Sequence, residues 1–353
     1  MEPSTLPKWP IEYRLRTGDV LVNSTGTGTV GRTRLFHESC LGTYPFVVPD
    51  SHVSVIRSFE LISSDYLYIV LSSEFGQLYF EDNLSGSTNQ KELYIGAISE
   101  LPIPLPPTNE QQRISEQVLI LNNSLEIIDK QKTGIERSVD SVKARVLELA
   151  IHGQLVSQDP SDEPASEFLK RINPEFAPSH NLHYEEMVPN GWLLLTYNDV
   201  ADYINGRAFK PEEWESNGWP IIRIQNLNDP YAPYNYSSNS FEKQYQIQKG
   251  DLLFAWAASL GVYIWDGQDA WLNQHIFKVM PYSCIDKEYL FFTLSASIND
   301  FYQKSHGSGM VHITRKQFVN MPLLLPPINE QKRIINAIKA YYKVLDDIVA
   351  GLN

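Results

Sequence analysis

Three glycines near the start of the chain have the spacing of a phosphate-binding loop. Gly26, Gly28 and Gly31 fit the pattern G-x-G-x-x-G and follow an apolar, strand-like run. In a dinucleotide-binding loop, a helix opens at the third glycine so that its N-terminus holds the pyrophosphate. The segment after Gly31, RTRLFHESCLGTYPFVVP, has no helical period of apolar residues and contains Pro45 and Pro49. The glycine spacing alone therefore does not indicate a dinucleotide site.

Other motifs that could support chemistry are incomplete. Asn173–Phe176 (NPEF) has Glu175 where the N-P-P-[YF] motif of amino-methyltransferases has its second proline, and no F-x-G-x-G segment accompanies it. His180 and His183 lie in a polar linker with no cysteine nearby, which favours solvated histidines over a metal pair. The chain contains no nucleophile elbow, Walker loop or H-E-x-x-H helix. We expect a protein that catalyses nothing itself and holds neither a metal nor a cofactor.

Composition narrows the class of protein. Of the 353 residues, 42% are hydrophobic and 20% are charged, and no apolar run approaches the roughly 18 residues of a membrane span. The N-terminus lacks the features of an export signal, and Cys40 and Cys284 lie far apart, which suits a reducing compartment. The net charge of -13 argues against a diffuse nucleic-acid coat but allows a local basic groove. A cytoplasmic protein of two domains without membrane contact is expected.

An internal repeat organises the chain. LPIPLPPTNEQQRI at Leu101–Ile114 matches MPLLLPPINEQKRI at Met321–Ile334 at nine of fourteen positions, with an offset of 220 residues. Each copy combines an extended Pro-Pro segment with a following asparagine, Asn109 or Asn329, which is predicted to cap a helix. GD dipeptides in matching places, at Gly18 and Gly250, extend the repeat in front of the helices.

Apolar residues beyond the predicted caps follow the 4-3-4-3 spacing of a coiled coil. Ordinary core packing is the alternative for a single stripe, but two stripes in one register favour pairing with each other. The first helix is expected to continue to Gly153, a length of roughly 68 Å at about 1.5 Å per residue. The residues predicted to pair are Ile114, Val118, Leu121, Leu125 and Ile128 in the first copy, and Ile334, Ile338, Tyr341, Leu345 and Ile348 in the second. After a polar Lys132, the first seam continues with Ile135, Val139, Val142, Val146 and Leu149.

These features predict an α+β fold in which two β-rich domains are joined by long, coiled-coil-forming helices in a tandem repeat. The predicted boundaries are 1–107 for the first β-rich domain, 108–156 for the first helix, 157–187 for a linker, 188–326 for the second β-rich domain and 327–353 for a short second helix. The linker is rich in proline and acidic residues and contains one short helix near Glu167–Ile172.

The order of these motifs resembles the specificity subunit of type I restriction-modification systems. The resemblance rests on the two Pro-Pro helix starts, on ELAIHGQLVSQDPSDEPASEFLKRI, on VPNGWLLLTYNDVADYINGRAFKP and on GDLLFAWAASLGVYIW with AWLNQHIFKV, and it covers nearly the whole chain. It implies a non-catalytic, DNA-binding subunit whose two target-recognition domains each contact one half of a split sequence. The paired helices would then fix the distance and the rotational phase of the two half-sites.

The resemblance also implies partners. Methyltransferase subunits would dock on the helices, bind S-adenosylmethionine and extrude an adenine for methylation, and a restriction and translocation subunit would join for cleavage. Double-stranded DNA is the ligand, self-association through the helices is a further option, and the cofactor belongs to the partner. The alternative is a scaffold for other proteins, built on a coiled coil and without DNA.

Candidate DNA-contact residues lie in polar loops and at strand ends, because Arg and Lys bind phosphate or guanine whereas Asn and Gln pair with adenine. For the glycine-rich loop, the resemblance favours an approach to DNA over a purely structural hairpin. For each single position, a solvated loop is the alternative. The candidates in the first domain are Ser24, Thr25, Thr27, Arg32, Arg34, Ser87, Thr88, Asn89, Gln90 and Lys91; those in the second are Arg207, Phe209, Lys210, Arg223, Asn226, Lys304, Ser305, His306, Ser308 and His312.

The two copies differ in length before the GD dipeptide. Gly250 lies 61 positions after Pro189, whereas 17 residues precede Gly18. The first domain is therefore expected to lack the opening strands and one loop of the second.

Overall fold

The structure is a computed structural model that describes residues 9–26, 28–87, 90–178, 188–298, 300–301 and 314–352, without the side chains of Ser87 and Gln90. The chain forms two compact units, Met1–Gln131 and Lys132–Asn353. Among the described residues, no helix combines the length and the apolar character that crossing a bilayer requires.

The first unit has a three-stranded antiparallel sheet of order β2-β1-β3, covered by helices, and a separate hairpin of β4 and β5. Val20 and Val22 of the central strand are fully buried and pack in one core with Leu71 and Phe80. The elements are β1 (Val20–Asn23), β2 (Thr33–Leu35), β3 (Val53–Ile56), α1 (Ser64–Ser72), α2 (Glu74–Asp82), β4 (Ser85–Ser87), β5 (Gln90–Glu92), α3 (Ile95–Glu100) and the start of α4 (Thr108–Ile151).

The second unit contains two four-stranded sheets, of order β10-β13-β8-β9 and β12-β11-β14-β7, and a two-stranded sheet of β15 and β6. Leu252 to Ala255 are fully buried, because successive residues of this strand face two different cores. The elements are α5 (Ala165–Ile172), β6 (Leu193–Thr196), α6 (Tyr197–Val200), β7 (Ala201–Asn205), β8 (Trp219–Ile222), α7 (Ile224–Asn228), β9 (Asn235–Ser237), β10 (Gln246–Ile247), β11 (Leu252–Ala255), β12 (Gly261–Ile264), β13 (Ala270–Leu272), β14 (Ile276–Pro281), α8 (Lys287–Ala296), α9 (Arg315–Val319), β15 (Pro322–Leu325) and α10 (Ile328–Ala350).

The turn at the GD dipeptide has the same structure in both units. The glycines have φ angles of 95° and 93°, in the left-handed region that glycine adopts without strain. Each following aspartate accepts a hydrogen bond from the backbone N–H three residues earlier, at 2.9 Å for Asp19 and 2.8 Å for Asp251. Asp19 also pairs with Arg57 at 2.9 Å, and Asp251 with Lys278 at 2.7 Å. The repeat seen in the sequence is therefore a repeat of structure.

A buried glutamine fixes the start of α4 to the first unit. Gln111 is 0% exposed, and its Oε1 accepts a hydrogen bond from the backbone N–H of Ser63, the N-cap of α1, at 2.9 Å. Its Nε2 donates to the carbonyls of Leu61 and Pro106, both at 2.9 Å. All of these hydrogen bonds reach main-chain atoms, so this joint does not depend on which side chains surround it.

The equivalent glutamine fixes α10 to the second unit in the same way. Gln331 is also 0% exposed, and its Oε1 accepts from the backbone N–H of Asp286, the N-cap of α8, at 2.7 Å. Its Nε2 donates to the carbonyls of Cys284 and Pro326 at 3.1 and 3.0 Å. The repeated glutamine thus has the role of joining each long helix to its domain.

The predicted asparagine caps are wrong by two residues, because the residue before each helix is Pro107 or Pro327. The helices begin at Thr108 and Ile328, so that Asn109 and Asn329 lie inside their first turns. Proline precedes each helix, and its fixed φ suits the entry into a helix. The carbonyl of Pro327 accepts a hydrogen bond from the N–H of Gln331 at 3.0 Å, which closes the first helical turn.

The second half of α4 packs with α10 inside the second unit. Val146 and Ala150 are 6% and 1% exposed and belong to the same core as Ile334 and Ile338, which are fully buried. Part of the predicted helix pairing is therefore present.

Polar contacts continue this pairing towards the end of α10. Tyr342 Oη donates to the carbonyl of Lys143 at 3.3 Å. The ammonium group of Lys143 in turn pairs with Asp346, one helical turn beyond the tyrosine.

The first half of the predicted seam differs from the expectation, because its apolar side chains are largely exposed. Leu121, Leu125 and Ile128 are 61%, 59% and 57% exposed. Ile114 is partly buried, because it packs on the core of the first unit. On α10, Tyr341 and Ile348 are exposed and Leu345 is half-buried. Within the second unit, α10 packs on the segment of α4 around Lys143.

Candidate nucleic-acid interface

The glycine-rich loop connects β1 and β2 of the first unit. Gly26, Gly28 and Gly31 have φ angles of 99°, 75° and 81°, which lets the chain reverse direction without strain. Strand β2, not a helix, follows Gly31. The helix that a dinucleotide loop requires is therefore absent from this connection, and the loop is a β-hairpin turn.

The structure brings the two predicted clusters of the first unit together. The carbonyl of Ser24 accepts a hydrogen bond from the N–H of Leu93 at 2.8 Å, and Thr25 forms a β-bridge with Glu92. Arg32 and Lys91, both exposed, line one cavity of about 650 Å³ between the loop and α2. A concave surface with two cations can receive a phosphate backbone.

Of the other predicted DNA-contact residues, Arg34 is described by the structure and most of the rest are not. Arg34 is exposed, and its guanidinium donates to the carbonyl of Thr33 at 3.3 Å. Outside the described residues lie Thr27, Thr88, Asn89, Lys304, Ser305, His306, Ser308 and His312, and the side chains of Ser87 and Gln90 are not described.

In the second unit, the carboxyl ends of two neighbouring parallel strands lie at the same end of a sheet. We call this end the sheet edge. Strands β8 and β13 pair in parallel, with Ile222 opposite Leu272. Arg223 follows β8 and Asn273 follows β13, and the N–H of Asn273 donates to the carbonyl of Ile222 at 3.1 Å. Arg207 joins the same edge through a bridge to Asn273. The predicted residues Arg207 and Arg223 therefore lie at one sheet edge although they are distant in sequence.

Arg207 is held by its neighbours. Its guanidinium forms two hydrogen bonds with the carboxylate of Glu213, at 2.8 and 2.6 Å, and lies 4.9 and 4.3 Å from the ring centroids of Phe209 and Phe241. These hydrogen bonds from Arg207, together with the backbone N–H of Lys210, lower the pKa of Glu213 to about 2. Arg207 and Phe209 thus shape the loop, and a DNA contact by either residue stays a prediction.

The structure corrects the predicted DNA contact of Asn226. It is 6% exposed, and its Oδ1 accepts from the backbone N–H of Arg223 at 3.1 Å. Its Nδ2 donates to the carbonyls of Ala232 and Pro233, both at 3.2 Å. A buried amide with both ends satisfied has no groups left for a base edge. Asn226 is therefore a structural residue that closes the loop after α7.

Two cations of this edge stay available. Arg223 lies 5.7 Å from the ring centroid of Trp214, and its buried Nε has no hydrogen-bond partner in the described part of the chain. Lys210 is exposed, and its described hydrogen bonds with Glu213 are made by its backbone N–H and carbonyl. A guanidinium stacked on an aromatic ring is well placed for guanine or phosphate.

Sequence reasoning missed the residues that support this edge. Trp214, Phe241 and Glu213 have no periodicity or motif that could have found them, because they act through contacts formed in the fold. Trp256 was also missed; its Nε1 donates to Asn205 Oδ1 at 3.0 Å. Within the described ranges, no group of three metal-ligating side chains exists, and His180 and His183 fall outside those ranges.

Comparison with known families decides the class. The family model of the type I restriction modification DNA specificity domain matches residues 11–137 and 189–353. The chain belongs to this family. The two matched segments correspond to the two copies of the repeat, which explains why the GD turn and the buried glutamine occur twice in this specificity-family chain.

Relatives of the specificity family are similar along most of this chain. It is 27% identical over 363 residues to the EcoAI specificity subunit and 24% identical over 377 residues to the EcoEI specificity subunit, both from Escherichia coli. These alignments cover 82% and 85% of this chain but 61% and 63% of the relatives. The chain thus spans about three fifths of the length of these curated relatives.

Solved structures share the fold of the specificity family. A chain from a study of complex assembly and conformational transition of the type I R-M system superposes with a TM-score of 0.66 at 18% identity, covering 96% of this chain and 79% of that one. The HsdS subunit from Thermoanaerobacter tengcongensis superposes with a TM-score of 0.53 at 19% identity, covering 98% and 78%. The α+β architecture predicted from the sequence is confirmed.

Proposed function

We propose that this specificity-family chain recognises DNA within a type I restriction-modification complex and directs methyltransferase and nuclease subunits to a bipartite site. One observation carries the proposal. Two units of one chain repeat the same GD turn and the same glutamine-anchored helix, as Asp19 with Gln111 and Asp251 with Gln331. Such a repeat suits a ligand with two half-sites.

In the second unit, the proposed DNA contacts are at the sheet edge. Arg223 would contact a base or a phosphate, and Lys210 would contact the phosphate backbone. The ion pair of Arg207 with Glu213 would hold the loop that carries Lys210. In the first unit, Arg32 and Lys91 supply the corresponding cations.

The chemistry of this system is assigned to partners. The chain itself is proposed to catalyse nothing, and S-adenosylmethionine is expected on the methyltransferase subunit. A restriction and translocation subunit would complete the complex. The chain's own residues would supply position, through main-chain-anchored helices, and sequence selection, through the loops.

The proposal is tested by co-expressing the chain with its cognate methyltransferase subunit and mapping methylated adenines genome-wide. A single split motif that disappears when this chain is omitted is the expected result. Methylation that does not change when the chain is omitted would contradict the proposal.

A second candidate function is a protein scaffold without DNA. The exposed apolar residues of α4, among them Leu119, Leu121 and Leu125 at 61%, 61% and 59% exposure, favour a protein partner on this helix. A purified chain that forms a stable protein complex but shows no salt-dependent DNA binding would favour the scaffold.

A further inference from the structure

A groove of about 610 Å³ lies between α1 and the first turns of α4, entirely within the first unit. We call it the α1–α4 groove. It is not part of the sheet edges described above. The lining residues that matter here are Asp65, Ile69, Ser115, Glu116, Leu119 and Asn122.

The second unit shows what occupies the corresponding place. The glutamine hydrogen bonds align the N-cap of α1, Ser63, with the N-cap of α8, Asp286, and they align α4 with α10 at the offset of 220 residues. Tyrosines one turn into α1 and α8 confirm this alignment, since Tyr66 and Tyr289 donate to equivalent carbonyls at 2.9 and 3.2 Å. Residues of the two units can therefore be compared one by one.

An ion pair of the second unit has no counterpart in the first. Lys339 Nζ lies 2.7 Å from both carboxylate oxygens of Glu288. The corresponding residues of the first unit are Leu119 and Asp65. Asp65 keeps the negative charge of Glu288, but it has no ion pair among the residues that the structure describes. The groove therefore retains the anion and lacks the cation.

Two aromatic rings of the second unit are also missing at this place in the first unit. The rings of Phe292 and Tyr342 pack edge to face with centroids 6.2 Å apart. Ile69 and Asn122 stand at these two positions in the first unit, and both are smaller. The opening between α1 and α4 follows from these exchanges.

Ser115 is the third difference. It replaces Ile335, which is 4% exposed, and its Oγ is buried without a hydrogen-bond partner in the described part of the chain. Glu116 adds a second carboxylate to the lining, where it accepts a hydrogen bond from Gln112 at 2.9 Å. A buried hydroxyl without a partner is costly unless a ligand satisfies it. The groove thus combines apolar surface, two carboxylates and one free hydroxyl.

We propose that the α1–α4 groove binds a helix of a partner protein that presents a lysine or arginine and a tyrosine one helical turn apart. The cation pairs with Asp65, as Lys339 pairs with Glu288, and the tyrosine ring fills the space that Tyr342 fills in the second unit. The assignment of this helix to the methyltransferase subunit rests on the proposed function; the chemistry of the groove does not.

A peptide probe tests the chemistry. The probe is a helix-stapled peptide that contains Lys-Ala-Tyr-Tyr, the sequence of Lys339–Tyr342, with a matched peptide in which glutamate replaces the lysine. Fluorescence anisotropy with the full chain is expected to show saturable binding of the first peptide, and binding at least about tenfold weaker for the second. Absence of saturable binding would overturn the proposal.

Variants of the chain locate the site. Leu119→Lys with Asn122→Tyr installs the residues of the second unit and should fill the groove, so that peptide affinity falls at least about tenfold while the thermal midpoint is kept or raised. Gln117→Lys with Ser124→Tyr introduces the same two residue types at exposed positions of α4 outside the groove lining and should leave affinity unchanged. Asp65→Asn, an exposed conservative change, gives the same loss without any repacking. Equal peptide binding by all of these chains would contradict the site.

The methyltransferase subunit provides the second arm. The methyltransferase subunit is expected to co-purify with the Gln117→Lys, Ser124→Tyr control but not with the Leu119→Lys, Asn122→Tyr variant, whose groove is filled. This result supports the assignment of the helix to that subunit. Equal co-purification of both variants overturns that assignment while the proposed function stands. Peptide binding at the groove together with no methylation in the co-expression experiment overturns the proposed function and leaves the groove chemistry supported.

Discussion

The two units share their GD turns and their helix anchors, but the segment that precedes the long helix forms a strand only in the second unit. In the second unit, Leu325 lies in β15 and is 1% exposed, whereas its counterpart Leu105 in the first unit is 55% exposed and lies outside any strand. The segment nevertheless occupies the same place, because tyrosine hydroxyls bind the carbonyls of Pro104 and Leu324 in the same manner. Position is thus set by the anchors and not by strand pairing.

Strand formation in this segment depends on a neighbour. Pro322–Leu325 pairs with Leu193–Thr196 in the second unit. Within the described residues of the first unit, no strand pairs with the segment after Leu101. Similar sequences therefore form a strand in one unit and an extended segment in the other, because β structure requires a partner.

The largest expected effect tests this difference. Leu325→Ala should cost about 2–5 kcal/mol in the free energy of unfolding, because it leaves a cavity in a packed core, whereas Leu105→Ala should change it by less than about 0.5 kcal/mol. Urea denaturation followed by tryptophan fluorescence measures the second unit, and hydrogen exchange measures the first. Similar costs at both positions would show that the first unit buries Leu105 in solution.

The anchors should behave alike in both units. Gln331→Ala and Gln111→Ala each leave one backbone N–H and two carbonyls, buried or partly buried, without the glutamine as partner, at a cost of about 1–3 kcal/mol. Gln112→Ala is the matched control, since Gln112 is exposed and its described hydrogen bond is to Glu116 on the helix surface. The same denaturation and exchange measurements apply. A cost at one anchor only would break the equivalence of the two units.

At the sheet edge, stability and DNA binding should separate. Asn226→Ala removes a buried cap and should destabilise the second unit by about 1–2 kcal/mol. Arg223→Ala should leave stability nearly unchanged and weaken DNA binding by about 1–3 kcal/mol. Thermal melts and binding isotherms on duplexes that carry the mapped motif measure the two effects. A stable Asn226→Ala chain with altered base preference would reinstate Asn226 as a DNA contact.

The smallest expected effect is the loss of the Arg207–Glu213 ion pair at acidic pH. The pKa of Glu213 is lowered to about 2 by Arg207, so the contribution of this pair is fully present above the ordinary glutamate pKa of about 4.5 and is lost as the pH falls towards 2. The thermal midpoint of Glu213→Gln should therefore lie below that of the unsubstituted chain at pH 6 and approach it as the pH falls. A constant difference across this range would show that the pair does not titrate as described.

The tandem architecture was predictable because local sequence features repeat along the chain. GD dipeptides, Pro-Pro segments and the glutamine of NEQ recur at fixed spacing, and the packing of Val146 with Ile334 follows from the helical period. The exposure of Leu121 and Leu125 was not predictable, since an apolar stripe is the same in sequence whether or not a partner covers it.

The candidate site was predictable only as clusters. The loop with Arg32 and the hairpin with Lys91 were named separately, and the fold places both beside one cavity. Residue roles were not predictable, because Arg207 and Asn226 have DNA-binding side chains that the fold uses for internal hydrogen bonds. Burial and partners, which sequence does not show, decide between these roles.

The buried glutamines have a consequence for how such chains change over time. The described side-chain hydrogen bonds of Gln111 and Gln331 are all made with main-chain atoms. A graft that preserves the backbone turn at Ser63 or Asp286 preserves every atom that the glutamine needs, whatever side chains the incoming domain carries. We therefore expect this joint to accept domains with unrelated surfaces, so that the proposed recognition loops can change while the helical frame stays as it is.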